Sequence, residues 1–453
     1  MKATSLIQNI LLGLGLIVSI SCKKHLNVVP KEFTPDDLTI VDGPTAQTAV
    51  RGIYNALGNN NYYGYNFQTL VYFSGNDVEY LGPQLQNRQL SDHDSKSDNS
   101  VIASSWAGIY NTINRANHVL AKVPDLPIGA SFSQTLKDQL IGEAYFLRAL
   151  SYFDLARTWG GVQLVLTPTL KASDNEGIKR STLAETYAQV LNDLKAAEPL
   201  LPETTNRIRA TKKTVWALRA RYHLYQKEWA DAEVYASKLI SDNSNYKLLK
   251  PYNSWFVNNA RNTQEAVFEL YYSNTLTNSQ ASQWQPSTKG GVRWIAPTNA
   301  FVVLLNDTSL AGNRSTLIDK VTSSSTVQWY GNLYYRQPGT DPGYLIRIAE
   351  LYLIRAEALA HQEKLADALK DLNDVRDRAK LKPSTASTQE EILLAIENER
   401  RFEFAFEPHR WFDLVRTGRA NEVLGVSNAN KYVLPVPIVE LNVDKALVQN
   451  PGY

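Results

Sequence analysis

The stretch VWALRARYHLYQKEWADAEVYASKLI, residues 215–240, carries a pattern that recurs far downstream. Trp216, Ala220, Ala232 and Ala236 fall at spacings of four, twelve and four. In ELYLIRAEALAHQEKLADALKDLNDV, residues 350–375, the same spacings select Tyr352, Ala356, Ala368 and Leu372. A large residue, then small ones where two antiparallel helices touch, is the logic of a tetratricopeptide hairpin. Small side chains let the helices approach closely; a bulky one there would force them apart. The two copies are degenerate and lie on either side of a long insertion. They must therefore be assembled in space, and a regular solenoid is not expected.

Helical periodicity extends well beyond these two copies. Apolar residues at three- and four-residue spacing predict helices over residues 45–57, 101–123, 139–159, 183–201, 213–241, 344–378 and 389–417. Strand-like alternation is scarce, limited to pieces such as AVFELYY, residues 266–272. The pattern reads as a mainly α fold with helical hairpins as its scaffold. Trp159, Trp216 and Tyr352 lie on apolar helix faces and are assigned to the core.

With 453 residues, 43% hydrophobic and 20% charged, the chain can build a large core and lacks the profile of a disordered one. Its length allows one to three domains. A formal net charge of +2 gives no electrostatic case for nucleic acid. Lys2 precedes the apolar run ILLGLGLIVSIS, residues 10–21, which is too short for a comfortable membrane span. Cys22, the single cysteine, follows at once. This predicts a lipoprotein signal peptide over residues 1–21, lipidation at Cys22 and a polar tether over residues 22–44. Ser19 departs from the leucine that a bacterial lipobox prefers at that place. Lipidation of Cys22 leaves no thiol for a disulfide or a thiolate metal site.

Composition changes in the insertions. NNNYYGYN, residues 59–66, and residues 76–98 are rich in polar side chains. SNTLTNSQASQWQPSTKGGVRWIAPTN, residues 273–299, holds two tryptophans and no acid, and residues 312–342 add VQWYGNLYYRQPGTDP. Long loops in a compact protein are usually functional or disordered, and these aromatic residues argue against disorder.

The chain resembles the SusD/RagB-type outer-membrane lipoproteins of Bacteroidota. The resemblance rests on Cys22 followed by LNVVPKE, on SWAGIYNTINRANHVL at 105–120 and on GEAYFLRALSYFDLARTWGGV at 142–162. It continues through IRIAELYLIRAEAL with NDVRDRA, ERRFEFAFEPHRWFDLVRTG at 399–418, and LPVPIVELN with LVQNPGY at the end. It implies a SusD-like domain over residues 45–453. That domain would comprise an N-terminal part to 250, a loop-rich insertion over 251–343 and a C-terminal part from 344. The implied role is a non-enzymatic, lipid-anchored protein at the cell surface, with no cofactor. It would cap a SusC-type TonB-dependent transporter and deliver oligosaccharide, or in some members peptide. Lys23 and Lys24 stand where surface-exposed members often carry acids, so surface exposure is inferred from the family alone.

The family tends to bind glycan with loops that correspond here to residues 80–93 and 273–299. A sugar ring has an apolar C–H face that an aromatic ring can cover, and a hydroxyl rim that polar side chains can bond. Trp284 and Trp294 are the expected stacking platforms, with Tyr80 a third. Asn87, Arg88 and Arg293 are the expected hydroxyl partners. The plainer alternative is that each aromatic plugs a gap between loop and scaffold. Residues 59–66 are a runner-up site, and Trp329 and Tyr330 share the same ambiguity. The histidines show no metal-ligand spacing, and no nucleophile or nucleotide motif is present, so no metal or catalytic residue is expected.

Two other functions compete: a tetratricopeptide scaffold that binds a protein segment, and, more distantly, a glycoside hydrolase using Glu403 and Glu407. Carboxylates flanked by guanidinium groups, as in residues 399–418, stay ionised and make poor general acids. That stretch therefore reads as structural. Glu403→Gln is expected to leave ligand binding unchanged and to lower stability.

Overall fold

A threonine followed three residues later by glutamate opens two of the helices. Thr182 with Glu185 and Thr388 with Glu391 form reciprocal capping boxes that satisfy otherwise unpaired backbone N–H groups. The structure, a computed structural model, describes residues 39–323 and 326–453. Cys22, the expected signal peptide and the tether as far as residue 38 lie outside the described residues.

The helices in chain order are α1 (Gly43–Leu57), α2 (Asn66–Ser74), α3 (Leu85–Ser91), α4 (Ser100–Lys122), α5 (Gln134–Trp159) and α6 (Leu183–Leu200). There follow α7 (Lys212–Gln226), α8 (Trp229–Ile240), α9 (Gln280–Trp284), α10 (Asn299–Asn306), α11 (Ile348–His361) and α12 (Leu365–Arg378). The last are α13 (Gln389–Glu403), α14 (Arg410–Arg416), α15 (Ala420–Leu424) and α16 (Ile438–Val443). Among the described residues, six short strands form three antiparallel pairs: β1 (Val78–Tyr80) with β3 (Ile295–Pro297), β2 (Ala266–Leu270) with β6 (Gly343–Arg347), and β4 (Ile318–Ser323) with β5 (Thr326–Gly331). None of the helices in the described residues is long and apolar enough to cross a membrane.

The repeated spacing does mark two hairpins. Ala220, Ala232 and Ala236 are fully buried between α7 and α8, as are Ala356, Ala368 and Leu372 between α11 and α12. Lys227 turns the first corner in the left-handed region, with φ 58°. α8 then packs on α11, so the hairpins adjoin in space across the sequence between them. Trp159 and Trp216 are buried as expected, whereas Tyr352 is only half-buried, at the edge of the core.

Three features depart from the periodicity. Residues 344–347 belong to β6 and not to a helix. The predicted helix over 389–417 breaks after Glu403, because Phe406 takes a left-handed φ of 67° before α14 begins. α2 carries no visible stripe because Phe67 through Ser74 are all buried.

Glu403 and Glu407 therefore do not share a helix face, yet both reach Arg347, whose Nη1 lies 2.8 Å from Glu403 and whose Nη2 lies 2.6 Å from Glu407. Arg314 meets Glu399 at 2.5 Å and Glu403 at 2.8 Å, while Arg378 bonds Glu265 at 3.0 Å and also Glu403. Burial raises the Glu403 pKa, but Arg378, Arg314 and Arg347 outweigh it and hold the group at about 2. A carboxyl so depressed stabilises the fold above its ordinary value, and that contribution is lost as pH falls toward 2. Glu403→Gln should thus lower the unfolding free energy at pH 7, and its gap to wild type should shrink below pH ~4.5. Urea titrations across that range read the gap; a constant gap would show that Glu403 ionisation does not contribute.

Candidate functional site

Pairing of β1 with β3 brings the two expected ligand-binding loops together. Glu79 lies opposite Ala296 and Tyr80 opposite Ile295, and the Leu81 N–H donates to the Trp294 carbonyl at 2.8 Å. Gly82 follows under a steric demand. A Cβ there would lie 2.2 Å from the Tyr80 hydroxyl oxygen and 2.9 Å from Cγ of Trp294. Glycine lets the chain cross close to both rings. Arg88, exposed on α3, donates to the Gly82 carbonyl at 3.2 Å and holds this turn.

The β4–β5 hairpin adds a third wall. Arg293, in the left-handed region at φ 49°, donates from Nε to the Trp329 carbonyl at 2.7 Å. Burial increases along β5: Val327 is exposed, Trp329 is half-buried and Tyr330 is buried, with the Lys320 ammonium 5.1 Å from the Trp329 ring centre. Burial pushes Glu79 up and Arg293 down, each partly countered by the charge of the other. These two groups face each other where water is partly excluded. Leu81, Val292 and Val327 are exposed nearby, between 43% and 49%. These adjoining segments carry two half-buried indoles, three cationic side chains and one carboxylate.

Three of the expected site residues do not reach that surface. Trp284 is fully buried, with its ring 4.8 Å from Phe406 and 5.7 Å from Tyr72, and its Nε1–H bonded to Gln280. It cannot stack on a sugar; the short helix α9 aims it into the scaffold, where it meets the Gly331 backbone. Tyr80 is 8% exposed, and its hydroxyl donates to Gln84 Oε1 at 3.2 Å. Asn87 is fully buried and donates to the same Gln84 oxygen at 3.0 Å. Tyr80 and Asn87 thus hold the 81–84 turn from below. Trp294, Arg88 and Arg293 remain at the surface.

In the runner-up stretch 59–66 two of the three tyrosines are packing, while Asn59, Asn60 and Asn61 are exposed and Tyr65 is half-buried. Tyr62 and Tyr63 are buried and both donate to Asp154 Oδ2, at 2.6 and 2.7 Å. Glu79, Lys320 and Trp329 were not among the expected ligand contacts. Burial in VQWYG rises from Val327 to Gly331 without alternating, so no period-two signal in that stretch marks Trp329 as the more exposed ring.

A cavity of about 1570 Å³ lies elsewhere, between α1, α4 and residues 270–276. Among the described residues, His223, Glu228 and Asp231 place one imidazole nitrogen and two carboxylates within 4.8 Å. Nδ1 of that histidine already bonds Glu228 at 2.5 Å across the α7–α8 corner. This contact ties the hairpin turn.

Residues 39–224 match the family described as starch-binding, associating with outer membrane, and residues 313–430 match the SusD family. A SusD-like protein of Formosa agariphila is 26% identical across 100% of this chain and 99% of its own length. The starch-binding protein SusD of Bacteroides thetaiotaomicron is 24% identical over 72% of this chain and 74% of its own. Among solved structures, a SusD superfamily protein from Bacteroides vulgatus superposes with a TM-score of 0.81 at 20% identity, covering 91% of this chain and 99% of that one. A laminarin-binding SusD-like protein gives 0.77 at 24% identity, covering 91% and 100%. The two family models leave residues 225–312 unmatched, and together with relatives that run the length of the chain they make this a SusD-like family protein.

Proposed function

We propose that the protein is a carbohydrate-binding, non-catalytic outer-membrane lipoprotein that captures oligosaccharide on the Trp294–Trp329 face. The observation that carries this reading is the pairing of β1 with β3, together with the Arg293 bond to the Trp329 carbonyl, which brings the segments bearing two half-buried indoles, Arg88, Arg293 and Glu79 side by side. Indole rings cover the C–H face of a pyranose, and the charged groups bond its hydroxyl rim. The starch- and laminarin-binding relatives support the ligand class. Glu403 and Glu407 are enclosed by arginines in the core, remote in role from any substrate. Family membership supports anchoring by lipid at Cys22, exposure at the cell exterior and delivery to a SusC-type TonB-dependent transporter.

Isothermal titration against soluble glycans tests the site. Trp294→Ala and Trp329→Ala should each weaken the best ligand about five- to thirtyfold, as expected for a lost stacking surface worth ~1–2 kcal/mol. No product should form during the titration. Binding that survives both substitutions would remove this face as the site. Co-purification of the tagged protein with a TonB-dependent barrel from its own outer membrane tests the partner.

A further inference from the structure

A second cavity, about 650 Å³, lies where the two hairpins meet the C-terminal signature. Its volume falls within the ~300–1,000 Å³ usual for small-molecule sites. α7, α8, α11, α13 and α14 all contribute to its walls, so a ligand must be short. Trp229, first residue of α8, stacks on His361 near the end of α11, with ring centres 4.0 Å apart and planes within 11°. Both rings are half-buried and line the cavity, and the stack fixes the indole plane. Across from them α13 presents Glu390, Leu393, Leu394, Glu397 and Arg400, a set at helical spacing along one face.

Arg400 supplies the second observation. It is 3% exposed, and its Nε donates to Asp413 at 2.8 Å, while its Nη1 is buried and meets no acceptor. A buried donor left without an acceptor is unfavourable, and a ligand oxygen admitted by a small shift of the wall would satisfy it. The remaining charges of the wall are largely paired among themselves: Arg416 bonds Glu357 at 2.5 Å and Asp413 at 2.9 Å, and Arg419 bonds Glu397 at 3.0 Å. The wall holds four cations and four carboxylates in all. A balanced wall selects no ion of either sign. It does suit a ligand whose hydroxyls both donate and accept, and whose ring has an apolar face for an indole.

We propose that this cavity is a second saccharide site, taking one or two sugar units, distinct from the Trp294 face. Its argument does not depend on that face. The test uses the full chain with 5-fluorotryptophan at its tryptophans, followed by ¹⁹F NMR, with the Trp229 and Trp294 signals assigned by substitution. Maltose, cellobiose, laminaribiose and xylobiose are the probes. At least one should shift the Trp229 signal saturably. Leu394, 46% exposed at the cavity rim, can be enlarged without opening the core. Leu394→Tyr should weaken the Trp229 response at least tenfold and leave the Trp294 response unchanged. Trp294→Ala should do the reverse. A Trp229 signal that no probe moves, or a shift that persists undiminished in Leu394→Tyr, overturns the proposal while leaving the reading of the Trp294 face as it stands.

Discussion

Replacing Arg347 by leucine is expected to destabilise the fold by about 3–5 kcal/mol, the range for removing one partner from a buried ion pair. Its guanidinium is 2% exposed and contacts three carboxylates: Glu265 at 3.0 Å, Glu403 at 2.8 Å and Glu407 at 2.6 Å. The three are not equally dependent on it. Glu265 keeps Arg378, and Glu403 keeps both Arg314 and Arg378. Glu407 has no other ion-pair partner among the described residues. Burial pushes Glu407 up to about 7 even against the pull of Arg347, with Glu403 adding like-charge repulsion. Without the arginine it rises further and takes a proton, which limits the loss. Leucine also forfeits the guanidinium contact with the Trp255 ring, 4.1 Å away. The measurement is a urea midpoint at unchanged m-value. A change below ~1 kcal/mol, the scale of an exposed pair, would mean that this cluster is solvated.

Trp284→Ala should be comparably severe, at about 3–5 kcal/mol, the usual loss for emptying a buried tryptophan site. The indole fills the space between Tyr72, Phe406 and Gly331, and its N–H is bonded to Gln280 at 3.1 Å. Per folded molecule, saccharide affinity should be unchanged. Trp294→Ala should give the opposite pair of outcomes, a small stability change and weakened binding. These two tryptophans sit ten residues apart in one acid-free loop, so the contrast between them tests the site assignment directly. Lost affinity with intact stability for Trp284→Ala would reverse it.

Most of the scaffold is legible in the sequence because its cause is local. Helix hairpins need small residues where helices touch, and the spacing of Ala220, Ala232 and Ala236 records that need. Caps such as Thr182 with Glu185 act over three residues and are equally readable. Legibility fails where an element is buried on every side, as in α2, since no face is left to be polar. It fails again where a single backbone angle, at Phe406, interrupts an otherwise periodic run.

The sequence by itself determined the family, the mainly α scaffold and the structural role of residues 399–418. The scaffold follows from residue types at fixed short spacing, the family from the resemblance of longer motifs, and the reading of residues 399–418 from the arginines that flank its acids. Only the tertiary structure decided which loop aromatics meet solvent. Trp284 and Trp294 have the same chemistry and similar polar neighbours, and no local pattern separates them. The β1–β3 ladder, joining residues more than two hundred positions apart, turns one to the surface, while α9 packs the other into the core. The gathering of Glu403 and Glu407 on Arg347 is likewise a long-range event, since the chain between them leaves the helix. Ion pairing over such separations depends on packing of the whole scaffold, and packing is the term that sequence spacing does not encode.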